Sequence, residues 1–170
     1  MRRGRLVKAV AAAALLVVLS ALSVDAWRKH RRAETIQTVH ADLRLMFDGS
    51  IRYYTGLENA PRFYPNPVGL TPAVPFCRDG APLAVEVGPE TWRHPTWQAL
   101  AFAPAGPRLS RYTFLSSGPG PDASFTARAV GDLDCDGVPT TFEWWHGPQD
   151  HEGPVNGGRP GIIEYGDEDP

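Results

Sequence analysis

The sequence predicts an α+β chain. A long N-terminal helix, membrane half plus amphipathic half, packs on a small antiparallel sheet across a loop-rich middle. Three observations predict it. An uncharged apolar run passes into a stretch of helical periodicity, with no Pro or Gly between Leu6 and Phe47. Gly and Pro number 17 each, which calls for short elements joined by irregular loops. Two β-rich runs flank a Gly/Pro turn, which is a hairpin signal. At 170 residues the chain has room for one compact domain.

The first five residues form a basic leader, and residues 6–26 the anchor. Arg2, Arg3, Arg5 and Lys8 precede a run without charge from Ala9 to Val24. Taken from Leu6 to Ala26, this segment is long enough to cross a bilayer as a helix. Lys8 and Asp25 lie near its ends, within reach of lipid headgroups. Its other reading is a signal peptide cleaved after Val24-Asp25-Ala26. Arg28, Lys29, Arg31 and Arg32 follow the span, so charge does not orient it.

Charge is strongly uneven. Residues 1–32 carry eight Lys/Arg against the single acid Asp25, while the remainder carries nine Lys/Arg against 18 Asp/Glu. A basic head suits anionic lipid. The acidic body repels nucleic acid and excludes it as a partner.

Residues 27–146 read as an extracytoplasmic domain. A helix from about Ala33 to Thr55 carries Ile36, Val39, Leu43, Met46, Phe47, Ser50, Ile51 and Tyr54 at three- and four-residue steps. Gln37, Asp42, Arg44, Asp48 and Arg52 fill the polar side, and Gly56 is a fitting stop. From Asn59 to Gly106 the chain is loop-rich, with one helical turn expected at Thr96–Leu100 behind Pro95. Trp92, Trp97, Phe76 and Phe102 are expected core anchors. Arg111–Leu115 and Ser124–Val130 form the hairpin around Gly118–Asp122. Residues 147–170 are polar, end in Asp167-Glu-Asp169, and read as a flexible acidic tail.

The sharpest motif runs from Asp132 to Glu143. Asp132, Asp134 and Asp136 occupy positions 1, 3 and 5 of a twelve-position calcium loop, with Gly137 at 6 and Glu143 at 12. A hard cation takes six to eight oxygens, and alternate Asp side chains on a tight turn converge on one centre. Val138 offers its carbonyl, Thr140 holds a water, and Glu143 closes the shell with both oxygens. Pro139 and the preceding strand make this a solitary structural Ca2+ clamp and not one of a switching pair. Cys77 and Cys135 are a disulfide candidate, and on sequence alone a bridge and a free Cys135 both stay open. A bridge and a site suited to millimolar calcium both favour a body outside the cytoplasm.

Enzyme motifs are missing. The chain contains no GxSxG, no HExxH and no phosphate loop. His30, His40, His94, His146 and His151 show no ligand spacing, and the last two are expected in solvent.

The arrangement resembles the type IV pilin-like proteins of bacteria, which include pseudopilins and minor pilins. The segments that carry the likeness are His94–Phe102, Arg111–Phe114, Phe125–Val138 and Thr141–Glu143, which look like a myxobacterial-type group. The resemblance implies a non-catalytic, single-pass subunit of the bacterial inner membrane, with its body in the periplasm or outside. It implies a type IV pilus or a type II secretion-type pseudopilus, with membrane lipid and other pilin-like subunits as partners through the N-terminal helix. It also implies leader cleavage at Gly4, although Arg5 and Ala9 stand where such leaders carry Phe and Glu. The alternative expectation is a secreted or tethered calcium-dependent surface-binding module outside any filament.

Overall fold

The computed structural model describes residues 2–58, 61–148 and 162–165; side chains are described for 61–148 and, from Leu19 to Glu58, for all but 21, 24, 25 and 28. The chain divides into two units, Met1–Gln37 and Thr38–Pro170. Helix α1 runs over Arg2–Gly56 and supplies residues to both.

In the second unit the strands are β1 (Val68–Thr71), β2 (Cys77–Arg78), β3 (Ala81–Pro82), β4 (Val85–Val87), β5 (Gly106–Arg108), β6 (Arg111–Ser117), β7 (Ser124–Gly131), β8 (Thr140–His146) and β9 (Ile162–Tyr165). A short helix α2 (Pro95–Ala99) lies between β4 and β5. The main sheet is antiparallel with order β1-β6-β7-β8-β9, and two ribbons, β2-β3 and β4-β5, stand beside it.

This corrects the expected fold class on two counts. The helix packed in the folded unit is the short stretch from Thr38 to Gly56, not a long N-terminal helix, and among the described residues full burial begins at Val39. The sheet has five strands and is not small. The Pro-rich middle, read as loops, contributes β1 to β5, because short segments interrupted by Pro still pair at sheet edges and in ribbons. The segment 147–170, read as a flexible tail, contributes β9 at 162–165; residues 149–161 and 166–170 lie outside the described residues.

Helical spacing places Val39, Leu43, Met46 and Ser50 on one buried stripe. Opposite them, period-two alternation along β7 buries Phe125, Ala127 and Ala129. The two alanines keep this part of the sheet low, so aromatic side chains fill in around them. Phe47 stacks on Trp144 with centroids 4.7 Å apart, and Tyr54 stacks on Tyr64 at 4.9 Å.

A second aromatic cluster forms where α2 begins. His94 caps the helix by accepting from Thr96 N–H through Nδ1, and Pro95 suits the first turn. Trp92, Trp97 and Phe102 are fully buried, as the composition predicted, with both indole N–H groups donating to Pro104 O and Thr71 Oγ1. Phe76 is only half-buried and instead lies under the Arg111 guanidinium, 5.8 Å away. Gly49 allows α1 and α2 to approach closely, since a Cβ there would sit 2.1 Å from Leu100 O.

Candidate functional site

The β7–β8 connection carries the candidate site. β7 ends at Gly131, β8 begins opposite it at Thr140, and the loop between them folds around its own carboxylates. Asp132 is buried, and its two oxygens accept from Cys135 N–H at 2.7 Å and Gly137 N–H at 3.1 Å. Asp134 accepts from Asp136 N–H at 3.3 Å, and Asp136 from Val138 N–H at 2.7 Å. Gly137, at φ 91°, makes the sharp bend that the motif requires of it.

These contacts bring carboxylate oxygens of Asp132, Asp134 and Asp136 within 4.8 Å of one another. At that spacing each pair of charges repels by about 1 kcal/mol even at water's dielectric. A hard divalent cation relieves that repulsion, and carboxylate oxygens are its preferred donors. Val138 is exposed in the loop and Thr140 is half-buried at the first position of β8.

Glu143 is placed elsewhere. It sits in β8 directly across from Arg128 of β7, and the two form an ion pair. The grouped carboxylates among the described residues are the three aspartates, without Glu143. Strand pairing explains this: a hairpin register that seats Thr140 opposite Gly131 carries Glu143 three residues up the strand. A cation here would draw on the aspartates, the loop carbonyls and water.

Cys135 lies inside the loop and is bonded to Cys77 of β2, with Sγ–Sγ 2.06 Å and Cα–Cα 5.9 Å. The bridge fastens the β2-β3 ribbon to the loop and holds Cys135 at φ 64°, the backbone position from which its N–H reaches Asp132. Cys77, Asp132 and Cys135 also cluster as donors, but bridged sulfurs are not thiolates and offer no metal ligand while the bond stands.

Two polar assemblies escaped the sequence reading. Asp42, assigned above to the polar side of the helix, is 3% exposed. Its carboxylate accepts from Tyr112 O–H at 2.5 Å and from Arg108 Nε at 2.7 Å and Nη2 at 3.4 Å. Burial, and then the neighbouring Asp42 charge, push the Tyr112 hydroxyl well above its ordinary pKa. Burial works to lower Arg108, but the Asp42 bond and charge outweigh it and the net shift is upward. The available signal was spacing: Asp42 lies three residues from Val39 and four from Met46, on the apolar stripe itself.

Arg111 is the second. Fully buried at the start of β6, it donates to Pro75 O at 2.8 Å, Leu83 O at 3.1 Å and Leu109 O at 3.1 Å. It thus pins the 74–83 segment onto the sheet with backbone acceptors alone, and burial lowers its pKa. No sequence signal separates such an Arg from a strand-edge cation.

His146, expected in solvent, sits instead at the end of β8 among Phe47, Phe125 and Tyr64. Burial lowers its pKa. Alternation along β8 accounts for this, since it turns His146 to the same face as Phe142 and Trp144. His151 lies outside the described residues.

Gly4 and most of the span 6–26 fall where no side chain is described. Among the described residues no helix is long and apolar enough to cross a membrane. Comparison with protein-family profiles, curated proteins and solved structures finds no match to this chain.

Proposed function

We propose that this chain is a non-catalytic, membrane-anchored extracytoplasmic subunit of pilin or pseudopilin type, with its β7–β8 loop stabilised by calcium. One observation carries the anchor. In the Met1–Gln37 unit, Leu19 (53%), Leu22 (61%) and Trp27 (62%) are all more than half exposed on α1, in line with the uncharged run from Ala9 to Val24. Single exposed apolar residues need no explanation, but a helix that extends such a run is suited to lipid. The Cys77–Cys135 disulfide supports an oxidising compartment for the body. The three converging aspartates support the calcium clamp.

Two measurements test this. Alkaline carbonate washing of membranes is expected to leave the chain in the pellet; complete release removes the anchor. For an extracellular-type site with Kd near 1 mM, calcium at about 10 mM stabilises the fold by roughly 1.4 kcal/mol, a melting shift of about 4 °C. Asp132→Asn with Asp134→Asn is expected to abolish that shift, and equal shifts in variant and parent remove the metal. A mature N-terminus at Trp27 would replace the anchored subunit with a released calcium-dependent binding module.

A further inference from the structure

Directly beyond the apolar run, residues 27–32 read Trp-Arg-Lys-His-Arg-Arg. Four permanent cations fall within these six positions, and the nearest acids are Asp25 on one side and Glu34 on the other. The structure adds geometry to this composition. Trp27 projects from α1 with most of its surface exposed, and the Arg31 guanidinium carbon lies 5.9 Å from its ring centroid, one helical turn on. The Arg31 side chain is 63% exposed, and its closest approach to Glu34 is a long 3.9 Å. Glu34 is also shared with His30, at 3.3 Å. Glu34 thus divides one negative charge between His30 and Arg31, on a turn that carries four permanent cations.

Tryptophan beside a hydrophobic segment favours the boundary between hydrocarbon and headgroups, where the ring is sheltered and the N–H stays wet. Lys and Arg at the same depth meet the phosphate layer, and their stems lie along the apolar boundary. An indole with a guanidinium over it presents both chemistries at one height on the helix.

We infer that residues 27–32 form a collar that binds anionic phospholipid headgroups in the leaflet facing the folded unit. The inference rests on the anchor reading, since the collar reaches headgroups only if the preceding run is in the bilayer. The acidic body of a second copy is the other surface of complementary charge. Lipid is favoured because the collar begins within one turn of the uncharged run and opens with tryptophan, which an acidic protein surface does not call for.

The test uses the full chain reconstituted in phosphatidylcholine vesicles, with trace spin-labelled phosphatidylglycerol or phosphatidylcholine reporting lipid held at the protein. The parent is expected to prefer phosphatidylglycerol by about threefold, less than the roughly fivefold per cation open to a peptide on an anionic surface. In R28Q/K29Q/R31Q/R32Q the preference is expected to fall at least by half while flotation with the vesicles is retained, the remainder coming from Arg2, Arg3, Arg5 and Lys8. Equal preference in parent and variant overturns the collar and leaves the anchor standing. Collar-dependent cross-linking between chains, without lipid preference, gives the collar to a second copy and likewise overturns it. A parent chain that does not float with either vesicle sinks the anchor, and the collar with it.

Discussion

Replacing Asp42 by Ala is expected to destabilise the folded unit by about 3–4 kcal/mol. Three hydrogen bonds end on this carboxylate, and both donors are left inside the protein when it goes. The Tyr112 hydroxyl is fully buried and loses its acceptor, which costs about 1–3 kcal/mol. The Arg108 side chain is 15% exposed and keeps bonds from Nη1 to Ala105 O and Pro107 O, so its cost falls below the usual 3–5 kcal/mol for breaking a buried pair. Tyr112→Phe removes one donor and leaves the ion pair, so about 1 kcal/mol is expected. Asp42→Ala combined with Arg108→Ala is expected to be less harmful than the sum of the two by about 1–2 kcal/mol, since no orphaned charge remains. Urea unfolding of the full chain in detergent, followed by the fluorescence of buried Trp92 and Trp97, reads these as midpoint shifts at constant slope. A cost under about 1 kcal/mol for Asp42→Ala, or strict additivity in the cycle, refutes the reasoning.

Gly49→Ala sets a methyl against the Leu100 carbonyl and is expected to cost about 3 kcal/mol or to separate α1 from α2, which the same urea titration reads. Arg111→Met keeps much of the bulk but removes the donors to Pro75 O and Leu83 O, so limited proteolysis is expected to cut faster within 74–83 while the β6–β7 hairpin stays protected. His146 gives a pH dependence whose sign follows from burial. The folded state holds it neutral below its ordinary 6.5, whereas the unfolded chain takes up a proton there. Stability from this group is therefore complete above pH 6.5 and falls as pH drops through it; unfolding midpoints across pH 5–8 check this, and His146→Phe is expected to flatten the acid limb.

The residues speak for themselves where the chemistry is local. Three- and four-residue spacing marks the buried stripe of α1, Gly56 marks its end, and Pro95 places α2. The alternation around Gly118–Asp122 yields the β6–β7 hairpin, because a turn and two pleated runs need no distant partner. The Asp132, Asp134 and Asp136 spacing likewise predicts convergence, since Asx hydrogen bonds and one glycine fold that loop by themselves.

Long-range pairing decided the remainder. Glu143 fits a linear calcium pattern, yet strand register commits it to Arg128, and no linear pattern contains a cross-strand neighbour. β9 and the β4-β5 ribbon gain their hydrogen bonds only from partners distant along the chain, whereas the β2-β3 ribbon closes locally across Asp79-Gly80 and escaped notice because its strands are two residues each. Asp42 has an ordinary surface identity that becomes a core one only because Arg108 and Tyr112, 66 and 70 residues away, arrive to satisfy it. Spacing along the chain determines what a residue is able to do, while burial and partnership, which exist only once the chain has closed on itself, determine which of those things it does.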